Sequence, residues 1–90
     1  MPLNSAQRKQ LLPRCNLLKP VVMVGNAGVT DGVIAELDAA LLAHELVKVR
    51  VAAGDREERR SMVALLCERT ASDLVQSIGH VVVLFRPRPE

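Results

Sequence analysis

The chain has 90 residues, a length that suits one domain and leaves little room for a second core. Hydrophobic residues make up 49%, but Phe85 is the only aromatic residue, which excludes modules that stack bases on several rings and aromatic cages for methylated lysine. The formal net charge is +2, yet residues 1–30 hold four cations and no acid, while residues 31–47 hold four acids and no Lys or Arg.

The N-terminal part of the chain predicts a helix followed by a strand. Asn4 or Ser5 can cap the helix, and Pro13 predicts either a kink or two short helical pieces, because proline lacks a backbone N–H. The run V-V-M-V at residues 21–24 is continuously apolar, as is typical of strands buried on both faces. We therefore expect a fully buried strand there.

The middle of the chain predicts a helix, a strand and another helix. Thr30 can cap a second helix that ends at about residue 43. Residues 46–51 alternate, so that three valines face one way while Lys48 and Arg50 face the other. Asp55 is followed by a glutamate three residues later, a capping-box pattern that begins a third helix ending at about residue 70.

The C-terminal part predicts strands at residues 74–78 and 81–85, joined so closely that they should form a hairpin. The element order is α-β-α-β-α-β-β, and the first β-α-β unit should be a right-handed crossover between parallel strands. The predicted fold class is α/β, a four-stranded mixed sheet with three helices packed on it. We expect a single domain over residues 1–90, with a folded core at about 5–87 and a tail at 88–90.

Residue types that carry catalysis or bind metals are scarce. Cys15 and Cys67 form neither a disulfide framework nor a zinc quartet, and His44 and His80 lie far apart. No nucleophile elbow or Walker-type phosphate loop is present. We expect no enzyme activity, no metal, no cofactor and no small-molecule substrate. The chain also lacks an apolar stretch long enough to span a membrane and an N-terminal secretory signal, so we expect a soluble cytoplasmic protein.

The motif best suited to a ligand is G-N-A-G at residues 25–28, between the first strand and the second helix. Its glycines permit a positive φ and close approach of another backbone, and the following helix N-terminus adds partial positive charge. Two interpretations stay open: an ordinary strand-to-helix turn, or a G-x-x-G loop that clamps a nucleotide backbone as in KH-type modules. The basic N-terminal third, with Lys48 and Arg50 on the neighbouring strand, favours the clamp.

A longer pattern surrounds this loop and extends along the chain. L-L-K-P…G-N-A-G-V-T, followed by H-E-L-V-K-V and I-G-H-V-V-V-L-F-R-P, resembles the CRM-domain family (chloroplast RNA splicing and ribosome maturation), in particular its bacterial YhbY-like single-domain branch. The resemblance covers about residues 5–87. It implies a fold like the C-terminal domain of translation initiation factor three, RNA binding without catalysis, and association with ribosomal RNA in large-subunit precursors. We expect the protein to be a monomer.

The resemblance also implies which residues contact RNA. The loop residues are Gly25, Asn26, Ala27 and Gly28, and the flanking basic candidates are Arg8, Lys9, Arg14, Lys19, Lys48, Arg50 and Arg86. The family loop often has lysine after its first glycine, where this chain has Asn26. The loss of one phosphate contact would reduce the slope of log affinity against log salt concentration by about one. With one aromatic ring, the chain should hold the RNA backbone with modest sequence selectivity.

The alternative hypothesis is a protein-interaction module that does not touch RNA. The acidic segment at residues 31–45 and the absent loop lysine favour it. The two hypotheses differ in one observation, since nuclease treatment would release the partners of an RNA-binding protein but not those of a protein-interaction module.

Overall fold

The computed structural model describes residues 3–52 and 54–87, so Ala53 and the expected tail at 88–90, including Arg88, lie outside the described residues. Three helices and four strands occur in the predicted order within these ranges, which confirms the α/β fold class. Their bounds are α1 Ser5–Cys15, β1 Pro20–Val24, α2 Asp31–His44, β2 Leu46–Val51, α3 Arg56–Thr70, β3 Asp73–Ile78 and β4 Val81–Phe85.

Each helix begins at a side chain that accepts a hydrogen bond from the exposed N–H groups of its first turn. Asn4 caps α1 and Asp55 caps α3, both in complete capping boxes, while Thr30 caps α2. Of the two outcomes expected at Pro13, division into two pieces does not occur. The helix is continuous to Cys15 because Pro13 lies in its last turn, where one missing hydrogen bond interrupts little of the ladder.

The strands form one mixed sheet in the order β1-β2-β4-β3. Strand β1 pairs with β2 in parallel, as predicted for the first β-α-β unit. Strand β4 pairs antiparallel with both β2 and β3, which confirms the predicted hairpin. The carboxyl ends of β1 and β2 therefore lie at the same end of the sheet as the β3–β4 turn.

The two faces of the sheet are covered differently. Helices α2 and α3 cover one face, here called the α2/α3 face, where Leu37, Leu41 and Leu66 pack on inward-facing valines of β1, β2 and β4. Helix α1 lies on the opposite face, here called the α1 face, where Leu11 and Cys15 pack on a smaller cluster. The sheet residues of that cluster are Leu46, Val75 and Val83.

The expectation that residues 21–24 are buried on both faces is wrong. Val22 and Val24 are buried on the α2/α3 face, but Val21 and Met23 are 53% and 62% exposed. The reason is that β1 lies at the edge of the sheet, whereas α1 packs mainly near β3 at the other edge. A continuous apolar run therefore leaves two large side chains in water.

Candidate nucleic-acid interface

The G-N-A-G segment forms a tight turn directly after β1. The Gly28 N–H donates to the Gly25 carbonyl oxygen at 3.0 Å, which closes the turn. Gly28 has a φ of +75°, a conformation that glycine adopts without strain. A Cβ atom added at Gly25 or Gly28 would meet no other atom within 4 Å, so the space outside the turn is open to a ligand backbone.

Not every backbone N–H group of this turn is available to a ligand. The Gly28 N–H is already used inside the turn, so it is not the outward-pointing donor that a glycine clamp would supply. Asn26 and Ala27 are exposed, and among the described residues no group accepts a hydrogen bond from their backbone N–H. The two central residues of the turn, together with the Asn26 amide, are therefore the donors available to an anion.

Helix α2 starts three residues after the turn, and its first residue is acidic. The Asp31 carboxylate lies 3.4 Å from the Arg69 guanidinium, and both side chains are well exposed. Thr30 uses its hydroxyl to accept from the Val33 N–H at 3.1 Å. The positive end of the helix is thus partly neutralised by its own carboxylate, which reduces its attraction for phosphate.

Lys48 and Arg50 lie on the α1 face of β2, beside the strand that leads into the turn. Arg50 pairs with Met23 of β1 and is exposed. Lys48 is half-buried and lies close enough to Cys15 to influence its thiol. Burial raises the pKa of the Cys15 thiol, and the positive charge of Lys48 opposes that rise only in part. The structure therefore places two predicted cations on one face near the loop.

Two of the predicted RNA-contacting arginines make hydrogen bonds within the fold. Both the Nε and Nη2 atoms of Arg8 donate to the Leu74 carbonyl oxygen, at 3.4 and 3.2 Å, which ties α1 to β3. Arg86 donates to the Asp38 carboxylate and carbonyl and to the Thr70 carbonyl oxygen, so it joins β4 to α2 and α3. These hydrogen bonds join separate elements of the fold, so both guanidinium groups already have partners inside the protein.

The remaining predicted cations are exposed but not gathered at the loop. Lys9 and Arg14 lie on α1, and Lys19 lies just before β1. Because β1 separates Lys19 from Gly25, the two are about 20 Å apart along an extended chain. These three residues can add general positive charge, whereas Lys48 and Arg50 are the cations placed near the turn.

A groove that the sequence did not single out lies on the α2/α3 face, between α3 and the sheet. It has a volume of about 750 Å³, and Arg56, Arg59 and Arg60 line it together with His80. Arg59 donates to the Gly54 carbonyl oxygen at 3.0 Å, and His80 Nδ1 lies 3.1 Å from the Val51 carbonyl oxygen. Cys67 also lines the groove, and burial raises the pKa of its thiol. The fold thus carries a second group of cations, away from Lys48 and Arg50.

The part of the chain that the structure describes contains neither a membrane-spanning helix nor a metal-binding cluster. No helix in ranges 3–52 and 54–87 is long and apolar enough to cross a membrane. No cluster of three or more His, Cys, Asp or Glu residues in the same ranges could hold a metal ion.

Comparisons with known proteins connect this geometry to one family. The model of the CRS1 / YhbY (CRM) domain matches residues 3–86. A Pseudomonas aeruginosa protein named "Probable RNA-binding protein" is 44% identical over 90 residues, which cover 100% of this chain and 86% of that protein. An RNA-binding protein of Haemophilus influenzae is 43% identical over 88 residues, covering 98% and 89%. The solution structure of a hypothetical protein from Staphylococcus aureus superimposes with a TM-score of 0.85 at 30% identity, covering 98% and 92%.

Proposed function

This chain belongs to the CRS1 / YhbY (CRM) domain family, and we propose that it binds RNA without catalysing a reaction. The observation that carries the proposal is the parallel pairing of β1 with β2. That pairing places the open G-N-A-G turn beside Arg50, at one end of the sheet. An RNA backbone can then accept hydrogen bonds from the Asn26 and Ala27 N–H groups while cations on β2 neutralise neighbouring phosphates.

The proposed partner is ribosomal RNA in precursors of the large ribosomal subunit, whose assembly the protein assists as a cytoplasmic monomer. The single aromatic residue supports a mode of binding that depends on RNA backbone and shape. Asn26, where a lysine would add a charge, supports a shallow dependence of affinity on salt compared with a chain that carries that lysine.

The role of the turn is tested with two substitutions of equal size at Gly28. Aspartate and asparagine both tolerate the positive φ of this position better than most residues, so the pair isolates the effect of one negative charge. We expect Gly28→Asp to weaken binding to a structured ribosomal RNA fragment by about tenfold or more, since it repels phosphate at close range. Gly28→Asn should weaken binding only a few-fold.

Binding is measured by fluorescence anisotropy with labelled RNA, after circular dichroism has shown that both variants are folded. Equal affinities of Gly28→Asp and the unchanged chain would exclude the turn as the RNA-contacting element.

The partner is tested separately, by sedimentation of a cell lysate through sucrose gradients. At low salt the protein should migrate with large-subunit precursors, and high salt or nuclease should release it, because phosphate contacts weaken with ionic strength. Residence at the top of the gradient under every condition would contradict the proposed partner. Association that survives nuclease would instead favour a protein-interaction module.

A further inference from the structure

One end of the α1 face is not covered by α1. Strand pairing places Met23, Arg50, Val81 and Ile78 in a single row, with one residue from each of the four strands. We call this row the open strip. Met23 and Ile78 are 62% and 64% exposed, Arg50 is exposed and Val81 is half-buried. None of the four belongs to the cluster of residues beneath α1.

The open strip lies beside the G-N-A-G turn. Met23 precedes Gly25 by two residues on β1, and Arg50 pairs with it from β2. Ile78 is the last residue of β3 and Val81 the first of β4, so both lie next to the hairpin turn at the same end of the sheet. Four strands about 4.8 Å apart make the row about 14 Å long. Four-stranded sheets in RNA-recognition modules seat two or three bases.

The open strip combines exposed apolar side chains with a positive charge. Three of its residues are aliphatic, its fourth is an arginine, and Lys48 lies one row behind on the same strand. Exposed apolar side chains grouped in this way mark interaction surfaces. A guanidinium plane and aliphatic side chains can both lie against the face of a base, while the cation attracts the phosphates that accompany it. The row contains no carboxylate that would repel RNA.

We propose that the open strip binds two or three unpaired bases of the RNA strand whose backbone is held at the G-N-A-G turn. This inference rests on the proposed function and narrows its ligand to a single-stranded segment. In a duplex the base faces are stacked on each other, so they cannot lie against Met23 or Ile78. The occupant is thus an unpaired RNA segment, with Arg50 between its bases and its phosphates.

The first test compares the methyl groups of two of the three methionines, one in the open strip and one outside it. Met23 lies in the open strip, whereas Met62 is half-buried on α3 and packs against the core of the α2/α3 face. With methyl-labelled methionine, addition of a uridine decamer should shift the NMR signal of Met23, because base rings lie close to it. The Met62 signal should stay in place. The same decamer annealed to an adenosine decamer should leave the Met23 signal unchanged.

The second test removes apolar surface from the strip without changing charge. Met23→Ser and Ile78→Ser should each weaken binding of the uridine decamer by about threefold to tenfold, as expected for the loss of a partly buried apolar contact. The slope of affinity against salt should not change, because no cation is lost. Leu17→Ser is the matched control, since Leu17 is 85% exposed and lies outside the strip, and it should bind like the unchanged chain.

The outcomes separate this inference from the proposed function. Suppose that the decamer binds, that Met23→Ser and Ile78→Ser bind it as tightly as the unchanged chain, and that the NMR signal of Met23 does not shift. The open strip is then not the base-binding surface, although the protein still binds RNA. If no RNA binds at all, the proposed function fails as well. If Met23→Ser instead changes the sedimentation of the free protein, the strip contacts a second copy of the chain, and the inference is overturned.

Discussion

The two faces of the sheet differ in the residues that the same strand, β2, presents to them. On β2, Val47, Val49 and Val51 point to the α2/α3 face and are buried beneath two helices. Lys48 and Arg50 alternate with them and point to the α1 face, where α1 packs. A single period-two pattern thus produces a closed core on one side and a half-open, positively charged surface on the other.

This difference shows how a chain of 90 residues can combine a stable core with the surface proposed to bind RNA. Two helices supply the larger cluster of buried residues, so the α1 face does not need to be fully covered. Arg8 and Arg86 belong to the stabilising part, because their guanidinium groups join elements of the fold. Arg50 belongs to the proposed binding part, where it lies exposed beside an apolar row.

The largest expected effect comes from the α2/α3 face. Leu84 is fully buried in the central strand β4, so Leu84→Ala should lower the free energy of unfolding by about 2–5 kcal/mol. Leu42→Ala, at a leucine of α2 that is 55% exposed, should change it by less than about 0.5 kcal/mol. Urea denaturation measures both. Equal stabilities of the two variants would show that the α2/α3 face is not the principal core.

The next effect distinguishes a structural arginine from an RNA contact. Arg86→Gln should lower the free energy of unfolding by about 1–3 kcal/mol, because charge-assisted bonds to Asp38 and Thr70 are lost. Its affinity for RNA, measured under conditions in which it remains folded, should match that of the unchanged chain. If Arg86→Gln kept full stability but its RNA affinity depended less on salt, Arg86 would be an RNA contact.

Each face also holds one cysteine with a raised thiol pKa, and the consequence is a loss of stability at high pH. Burial raises the pKa of both Cys15 and Cys67. The unfolded chain releases its thiol protons at about pH 8.5, while the folded chain retains them longer. The free energy of unfolding should therefore be constant with respect to these groups below that pH and fall above it. Replacing both residues with alanine should remove this part of the pH dependence between pH 7 and 10.

The smallest expected effect is a gain of affinity. Asp31→Asn removes a carboxylate three residues after the G-N-A-G turn, and should strengthen RNA binding about twofold at low salt. The same change should lower the free energy of unfolding by about 0.3–1 kcal/mol, because α2 loses an acid at its positive end. The RNA affinity measured by anisotropy should thus rise, while the free energy of unfolding measured by urea denaturation should fall. An unchanged affinity would place the RNA away from the start of α2, and a weaker complex would contradict the repulsion by Asp31.

Local sequence patterns predicted the elements of the fold closely. The alternation at residues 46–51 marked a strand, and the Asp55–Glu58 capping box marked the start of α3. Both signals depend on residues close together in sequence, which is why they can be recognised without the structure.

The exposed part of β1 and the roles of the arginines could not be predicted in the same way. An apolar run does not reveal which helix covers each face, so Met23 was expected to be buried. Arg86 binds Asp38, which is 48 residues away, and Arg8 binds the Leu74 carbonyl, which is 66 residues away. Such contacts depend on the packing of distant elements. The open strip likewise exists only once four strands are in register.

The most direct test removes two positive charges from each face and compares the salt dependence of RNA binding. Lys48→Gln with Arg50→Gln alters the α1 face, and Arg56→Gln with Arg60→Gln alters the groove on the α2/α3 face. The first pair should reduce the slope of log affinity against log salt by about 1.4, since two phosphate contacts to a single strand are lost. The second pair should leave the slope unchanged. Equal flattening by both pairs, or flattening by the second alone, would contradict the assignment of RNA to the α1 face.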